Sequence, residues 1–494
     1  MAIVGQVFAE NGIKSLGAEE TNAILSGYGA IESGQIVKGV YISQLGSAQL
    51  RKLWLGHGFL NVALTKRINE HLAFFASMEG RLWYNSVPFV INPDVQDGFP
   101  RQNVDFYFPS AAGVLSFGRK DDPYLSLTIG RFEYKYDPQA RTFGEYLFRA
   151  GCYPGYIISE FDHPLASVNG LKTSIRLFDF LHQDILLTTM HDMRPYFDFS
   201  LAYMANVSAG NAFSFGAGIS FDNLISTELL ENSGTNNFPG NGYLTGPGDS
   251  LHRPDSAYYA NRGTKIIGHF SFDPKFGSDF NHFLGKDDLE IYAEAAVLGI
   301  RNYPRSNKYA DVMSSDFGSD NMSNAFGYEN IMERIPVMIG INLPTQQFLS
   351  YCIIPAALAY GLHSRNTIPC GIAGLVAGIG SWLLDRKCKT NTRLDLISLE
   401  TEWYGSRYSD NYDNLLREGW ATPVVKDPNY DYSKDDWKWS IYAKRTIFER
   451  FSLIGMIARD HFRTEIPLLK YQYYGEALPK PDDWYWMLKM KYDF

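Results

Sequence analysis

The chain ends in Trp484-Tyr-Trp-Met-Leu-Lys-Met-Lys-Tyr-Asp-Phe494, and that ending limits the possible folds more than any other stretch. Side chains on an extended strand alternate between two faces. Trp486, Leu488, Met490, Tyr492 and Phe494 therefore share one face, and Met487, Lys489, Lys491 and Asp493 share the other. An apolar face opposite a charged one suits a strand with lipid on one side and a wet lumen on the other. A half-buried strand of a soluble antiparallel sheet alternates in a similar way, so the rest of the chain must decide.

The same period recurs throughout. Leu60, Val62 and Leu64 alternate with Asn61 and Thr65, and Phe74, Ala76, Met78 and Leu82 with Ser77, Glu79 and Arg81. Phe213 to Phe221, Leu289 to Val297 and Ile335 to Leu343 repeat the pattern, often with Gly or Ser on the polar face. Such runs of about ten residues match the strand length of a membrane barrel. A minimal turn between strands near 57–69 and 71–85, and others near 119–123, 182–183, 209–212 and 450, alternate with long polar connections at 86–105, 137–170, 225–263, 301–331, 408–436 and 465–483. Short turns at the periplasmic end and long loops outside are the habit of bacterial barrels. Counting back from Phe494 at the periplasmic end places each long connection outside. The count predicts an all-β, transmembrane antiparallel barrel of about sixteen strands, within a range of about fourteen to eighteen. Its first strand is expected at Gly34 to Ser43, so that 1–33 form a periplasmic segment and 34–494 the barrel.

Composition agrees. Aromatics make up 15% of the chain, with 32 Tyr, 33 Phe and 9 Trp, and barrels carry aromatic girdles at both membrane interfaces. A net charge of −9 argues against a nucleic-acid partner. Four Cys exclude a disulfide-dense scaffold. Ala2 to Ala9, followed by Glu10, reads as the tail of an apolar signal core with a small-residue cleavage site (1–9), which implies an export signal upstream.

The terminal strand, with its closing Phe494, resembles that of Gram-negative outer-membrane β-barrels. Val114-Leu-Ser-Phe-Gly118, a short turn and Leu125-Ser-Leu-Thr-Ile-Gly-Arg-Phe132 resemble a hairpin of porins of the sugar-uptake kind. The resemblance implies the bacterial outer membrane, contact with its lipid, assembly by the barrel-assembly machinery through the C-terminal strand, and passive transport of small hydrophilic solutes, sugars among them.

Two segments break the strand pattern. Asp137 can N-cap a helix, Pro138 suits its first position and Gly151 its C-terminal stop, while Phe143, Tyr146, Leu147 and Ala150 form a stripe at helical spacing. A helix over 137–151 in an external loop is expected, with Arg141, Glu145 and Arg149 on its opposite face. Those three are pore-constriction candidates if the loop folds inward, and an ordinary solvated face if it does not. The second segment, 346–389, holds two apolar stretches too short to span a bilayer and reads as a helical hairpin insertion. It is a candidate contact for a second copy or a protein partner. Cys352 and Cys388 would fall at its open end, either as a disulfide or as two small apolar residues.

Residues expected to line the channel are Glu79, Arg81, Glu133, Lys135, Arg176, Glu290, Glu294, Arg334, Glu400, Glu402, Lys489 and Lys491. Both signs are present, which favours small polar solutes by a transverse field. The alternative is that the charges pair and fill a closed lumen, giving a structural or partner-docking barrel. No phosphate loop, dinucleotide fingerprint, HExxH or Gly-x-Ser-x-Gly elbow occurs. The acidic stretches Asp311–Asp320 and Asp427–Asp436 lack EF-hand spacing. No metal, cofactor or catalytic site is expected, and an outer-membrane enzyme is the least favoured of the three readings.

Overall fold

In the computed structural model, sixteen antiparallel strands close into one barrel. The described residues are 23–43, 46–49, 51–85, 104–119, 122–147, 166–178, 180–189, 199–210, 212–225, 242–244, 258–260, 263–275, 284–298, 335–345, 394–404, 437–447, 449–462, 478 and 480–494. The strands are β1 (Ile24–Lys38), β2 (Leu53–Arg67), β3 (Leu72–Asn85), β4 (Val104–Arg119), β5 (Asp122–Tyr134), β6 (Ala166–Phe178), β7 (Leu181–Thr189) and β8 (Phe199–Ala209). They continue as β9 (Phe213–Ile225), β10 (Gly263–Phe272), β11 (Ile291–Leu298), β12 (Pro336–Asn342), β13 (Leu396–Tyr404), β14 (Trp437–Ile447), β15 (Phe451–Arg459) and β16 (Trp484–Asp493).

Each strand pairs with its neighbours in sequence, and β16 closes on β1. Gly27 and Phe494 exchange both backbone hydrogen bonds at that seam, Gly27 N–H to Phe494 O at 3.2 Å and Phe494 N–H to Gly27 O at 2.9 Å. Closure leaves no unpaired edge, the condition for placing strands in hydrocarbon.

The alternation behaves as the sequence implies. Leu488, Met490, Tyr492 and Phe494 are exposed on the outer wall, while Tyr485, Met487, Lys489 and Lys491 are buried on the inner one. Leu60, Leu64, Phe74, Met78, Leu82, Phe213, Phe215 and Ile339 join the outer face. This apolar belt around a charged interior is the architecture of an outer-membrane protein. Phe213 stacks on Phe272 at 4.6 Å and Phe178 on Phe180 at 5.3 Å, at the end of the barrel where the turns are short.

Three expectations are corrected. The first barrel strand starts at Ile24, not Gly34. Gly27, Gly29 and Gly34 blur its alternation, but its register with β2 runs unbroken from Ile24↔Thr65 to Ile36↔Leu53. The turn expected at 182–183 falls between Phe178 and Leu181. The stretch Asp137–Leu147 forms bends and a turn, not a helix. Segments 1–22 and 346–393 lie outside the described residues, so the signal remnant, the helical hairpin, Cys352 and Cys388 do too.

Candidate functional site: an inward loop latched to the far wall

The chain leaves β5 at Tyr134 and turns into the barrel. Tyr136, Ala140, Phe143, Tyr146 and Leu147 are buried there with Tyr134, Tyr292 and Met338. Burying an aromatic or Leu side chain contributes about 1.5 to 3 kcal/mol each, so the apolar stripe does find a surface. That surface is the inner wall.

The backbone of this loop has no ladder partner, and two wall carboxylates take its place. Glu400 on β13 accepts the N–H groups of Arg141 and Thr142 at 2.7 Å and of Phe143 at 3.1 Å. It also accepts the Tyr292 hydroxyl at 2.7 Å. Glu294 on β11 accepts the N–H groups of Glu145 at 2.8 Å and Tyr146 at 2.9 Å, and the Tyr136 hydroxyl at 2.5 Å. Charge-assisted bonds to backbone N–H groups are among the stronger ones. They replace the i→i−4 bonds a helix would have made. Gly144 and Glu145 both have positive φ, 84° and 59°, which no helix accommodates.

Within the loop, Glu145 accepts the N–H of Asp137 at 2.8 Å and of Tyr136 at 3.4 Å, folding the segment back on itself. Burial, with Glu294 and Asp137 nearby, pushes its carboxyl well above the usual range, and Lys135 opposes the shift. Lys135 donates to Ala140 O. Glu402 on β13 accepts the Tyr146 hydroxyl at 2.5 Å and faces His461 Nε2 at 2.5 Å. The base of the loop touches Glu290, whose Oε1 accepts Gln139 Nε2 at 2.6 Å. Burial, then Asp287 and Asp273, raise the Glu290 carboxyl to about 7.

β5 and β13 stand eight places apart in a ring of sixteen, so the loop crosses the full lumen. Its buried side chains pack mostly against strands between β5 and β13, and it reaches past them to β15, where Thr142 Oγ1 bonds Met456 Sδ at 3.6 Å. The rest of the wall is β14 to β16 and β1 to β4, where Ile36, Tyr442, Ile454, Met456, Tyr485 and Met487 form a second buried apolar cluster. There Glu79 accepts the hydroxyls of Tyr28 and Tyr107 at 2.6 Å and Asn61 Nδ2 at 3.2 Å, and pairs with Arg81 at 3.1 Å. Glu32 pairs with Lys489 at 3.0 Å.

The structure therefore brings together many of the expected residues and redistributes others. Glu79, Arg81, Glu294, Glu400, Glu402, Lys489 and Lys491 lie on the inner wall. Arg176 shares the inner face with Lys172 and Ser174 and is exposed there. Arg141 is half-buried in the lumen. Glu145, expected to project into the pore, caps backbone N–H groups. Glu133 is corrected to the outer face: Phe132 and Tyr134 beside it are buried inside, and it alternates in phase with Arg131 and the exposed Ile129. Arg149 and Arg334 lie outside the described residues. The sequence reading missed Glu32, Tyr136, Tyr146, Tyr292 and His461. Glu32 falls in the segment expected to precede the barrel, and the tyrosines are indistinguishable by composition from interface aromatics.

Comparison with solved structures finds a mutant of Rh. blastica porin, 7% identical over 96% of this chain and 100% of that one, with a TM-score of 0.39. It also finds Pseudomonas putida OprB in a high-pH structure, 8% identical over 96% of this chain and 94% of that one, with a TM-score of 0.44. No protein-family model and no curated protein matches the chain.

Proposed function

We propose that this barrel is an outer-membrane channel for the passive diffusion of small hydrophilic solutes, with the 135–147 loop setting its narrowest section. The observation that carries this reading is the latch. A loop from β5 is held by Glu294 and Glu400 against the opposite wall, which narrows a barrel whose strand number suits an aqueous channel. Half-buried Arg141 stands on the loop and contributes to the field at the constriction. Sugar as the solute rests on the hairpin resemblance alone.

A second reading has support of its own. Glu79, Glu294, Glu400, Glu402 and Lys489 are all buried within networks of partners, as they would be in a closed, structural barrel. Single-channel recording in planar bilayers separates the two. Discrete conductance steps that change in size with Arg141→Ala support the channel. Folded protein that never conducts overturns it in favour of the structural barrel.

A further inference from the structure

The connection between β15 and β16 also turns into the barrel. Its described residues are 460–462, 478 and 480–483. Phe462 is 7% exposed and Leu478 0%, and both belong to the apolar cluster of Tyr442, Met456, Tyr485 and Met487. Register sets Tyr442, Met456 and Met487 side by side, all facing inward. A segment that leaves β15 at its outer end reaches these side chains by dipping into the mouth. The wall holds it there. Lys438 Nζ on β14 donates to Leu478 O at 3.2 Å, and the Tyr485 hydroxyl on β16 donates to Asp460 Oδ2 at 2.8 Å. Phe462 packs on the Tyr485 ring with centroids 4.7 Å apart.

One further contact is shared with the constriction loop. Glu402 is 0% exposed. Its Oε2 accepts the Tyr146 hydroxyl from the loop, and its Oε1 meets His461 Nε2 from the β15–β16 connection, each at 2.5 Å. An ionised carboxylate has no proton to give, so Nε2 carries the hydrogen. The edge of the His461 ring meets Phe143 of the loop at 6.0 Å. The buried apolar side chains of the loop and those of the connection fall in separate clusters, so Phe462 and Leu478 do not pack on the loop directly. The segments meet at Glu402, His461 and Phe143.

A buried carboxylate deprived of one donor keeps the cost of its desolvation and loses the bond that offset it. Glu402 is therefore best satisfied with both segments in place. Two elements whose positions are stabilised by one group are coupled, and the coupling is reciprocal.

We infer that the 135–147 loop and the β15–β16 segment form one latch pinned at Glu402, so that drawing the β15–β16 segment out of the mouth loosens the constriction loop. The coupling stands on these contacts alone; as a means of opening a channel it rests on the channel reading.

The test is hydrogen–deuterium exchange of the purified full-length protein in micelles, read by mass spectrometry over the loop. The N–H groups of Arg141, Thr142, Phe143, Glu145 and Tyr146 are bonded to Glu400 and Glu294, so they exchange when the loop leaves the wall. His461→Ala removes the donor at Glu402. Phe462→Ala loosens the β15–β16 segment at a place that does not touch the loop. Both should speed exchange of the loop amides by about fivefold or more, the lower end of ordinary coupling between sites, while the amides of β11 and β13 stay protected. His461→Gln, which still donates, should stay close to wild type. Loop exchange unchanged in His461→Ala and Phe462→Ala overturns the inference. A rise in His461→Ala alone marks a local contact and overturns the coupling as well. An equal rise in His461→Gln traces the effect to lost packing on Phe143 and overturns the shared carboxylate as its route. Should Phe462→Ala not fold, Phe462→Leu takes its place. A coupled loop in a barrel that never conducts leaves the latch standing and overturns the channel reading instead.

Discussion

Glu400 and Thr142 are 258 residues apart in sequence, and the carboxylate of the first accepts the backbone N–H of the second at 2.7 Å across the barrel. With the Glu294 bonds to Glu145 and Tyr146, this contact holds the loop inward. A hydrogen bond to a charged group is worth about 1.5 to 3 kcal/mol net. Glu400→Gln keeps the shape of the side chain, removes its charge, and turns one oxygen into a donor facing N–H groups that also donate. The loop should then leave the far wall more often. Single-channel records of Glu400→Gln are expected to show more frequent transitions to higher conductance, with the barrel still folded. Records indistinguishable from wild type would mean that the latch contributes nothing.

Gly144 provides a local handle on the same loop. Its φ of +84° disfavours any side chain, and an added Cβ would meet Glu294 Oε2 at 2.7 Å and Met338 Cε at 3.0 Å. Backbone strain of this kind costs about 1 to 3 kcal/mol, and the clash falls on a latch carboxylate. Gly144→Val should therefore resemble Glu400→Gln, with noisier and larger conductance. Gly144 belongs to no strand, so thermal unfolding of the barrel should move far less than the conductance does. A large fall in barrel stability without a change in conductance would contradict this assignment.

The strand plan was legible because its signals are local: period-two alternation shows which residues face lipid, and turn length shows which end of the barrel is which. The loop was not legible, for the opposite reason. Asp137, Pro138 and the Phe143/Tyr146/Leu147 spacing describe a helix correctly by local rules. The carboxylates that claim its N–H groups stand on β11 and β13, far along the chain. Gly144, in the middle of the expected helix, was the one local warning. Glu133 is expected on the inner face because Phe132 and Tyr134 look like lipid-facing aromatics, but they turn inward to pack beneath the loop.

The base of the loop should respond to pH near neutrality. Glu290, just before β11, has its carboxyl raised from 4.5 to about 7 by burial, Asp287 and Asp273. Between those values the folded protein holds a proton that the unfolded chain has released. The contribution to stability is therefore complete below about pH 4.5 and lost as pH rises through 7. Glu145, also raised, adds in the same direction. Above pH 7 a charged Glu290 is repelled by Asp287 and Asp273 in a largely buried place, which loosens the base of the loop even though Gln139 Nε2 then donates to a charged acceptor. Loop-related conductance noise is expected to be lower at pH 5 than at pH 8, with a midpoint near 7. Glu290→Gln should remove most of that step. A step that survives unchanged in Glu290→Gln belongs to another group.

The two walls of one strand region should tolerate substitution very differently. Leu488 projects outward from the middle of β16, with Met490 and Tyr492 on the same face. Placing Arg there puts a charge in the lipid belt, at a cost of about 2 to 4 kcal/mol near the bilayer midplane. Lys444 projects inward and makes no ion pair among the described residues. Lys444 is nearly buried, at 9% exposure, and Lys444→Gln, which keeps a polar group there, should cost no more than about 1 kcal/mol. Equilibrium unfolding of vesicle-inserted protein in urea measures both on one scale. Equal effects of Leu488→Arg and Lys444→Gln would contradict the assignment of lipid to one face and water to the other, and with it the membrane reading of the period-two pattern.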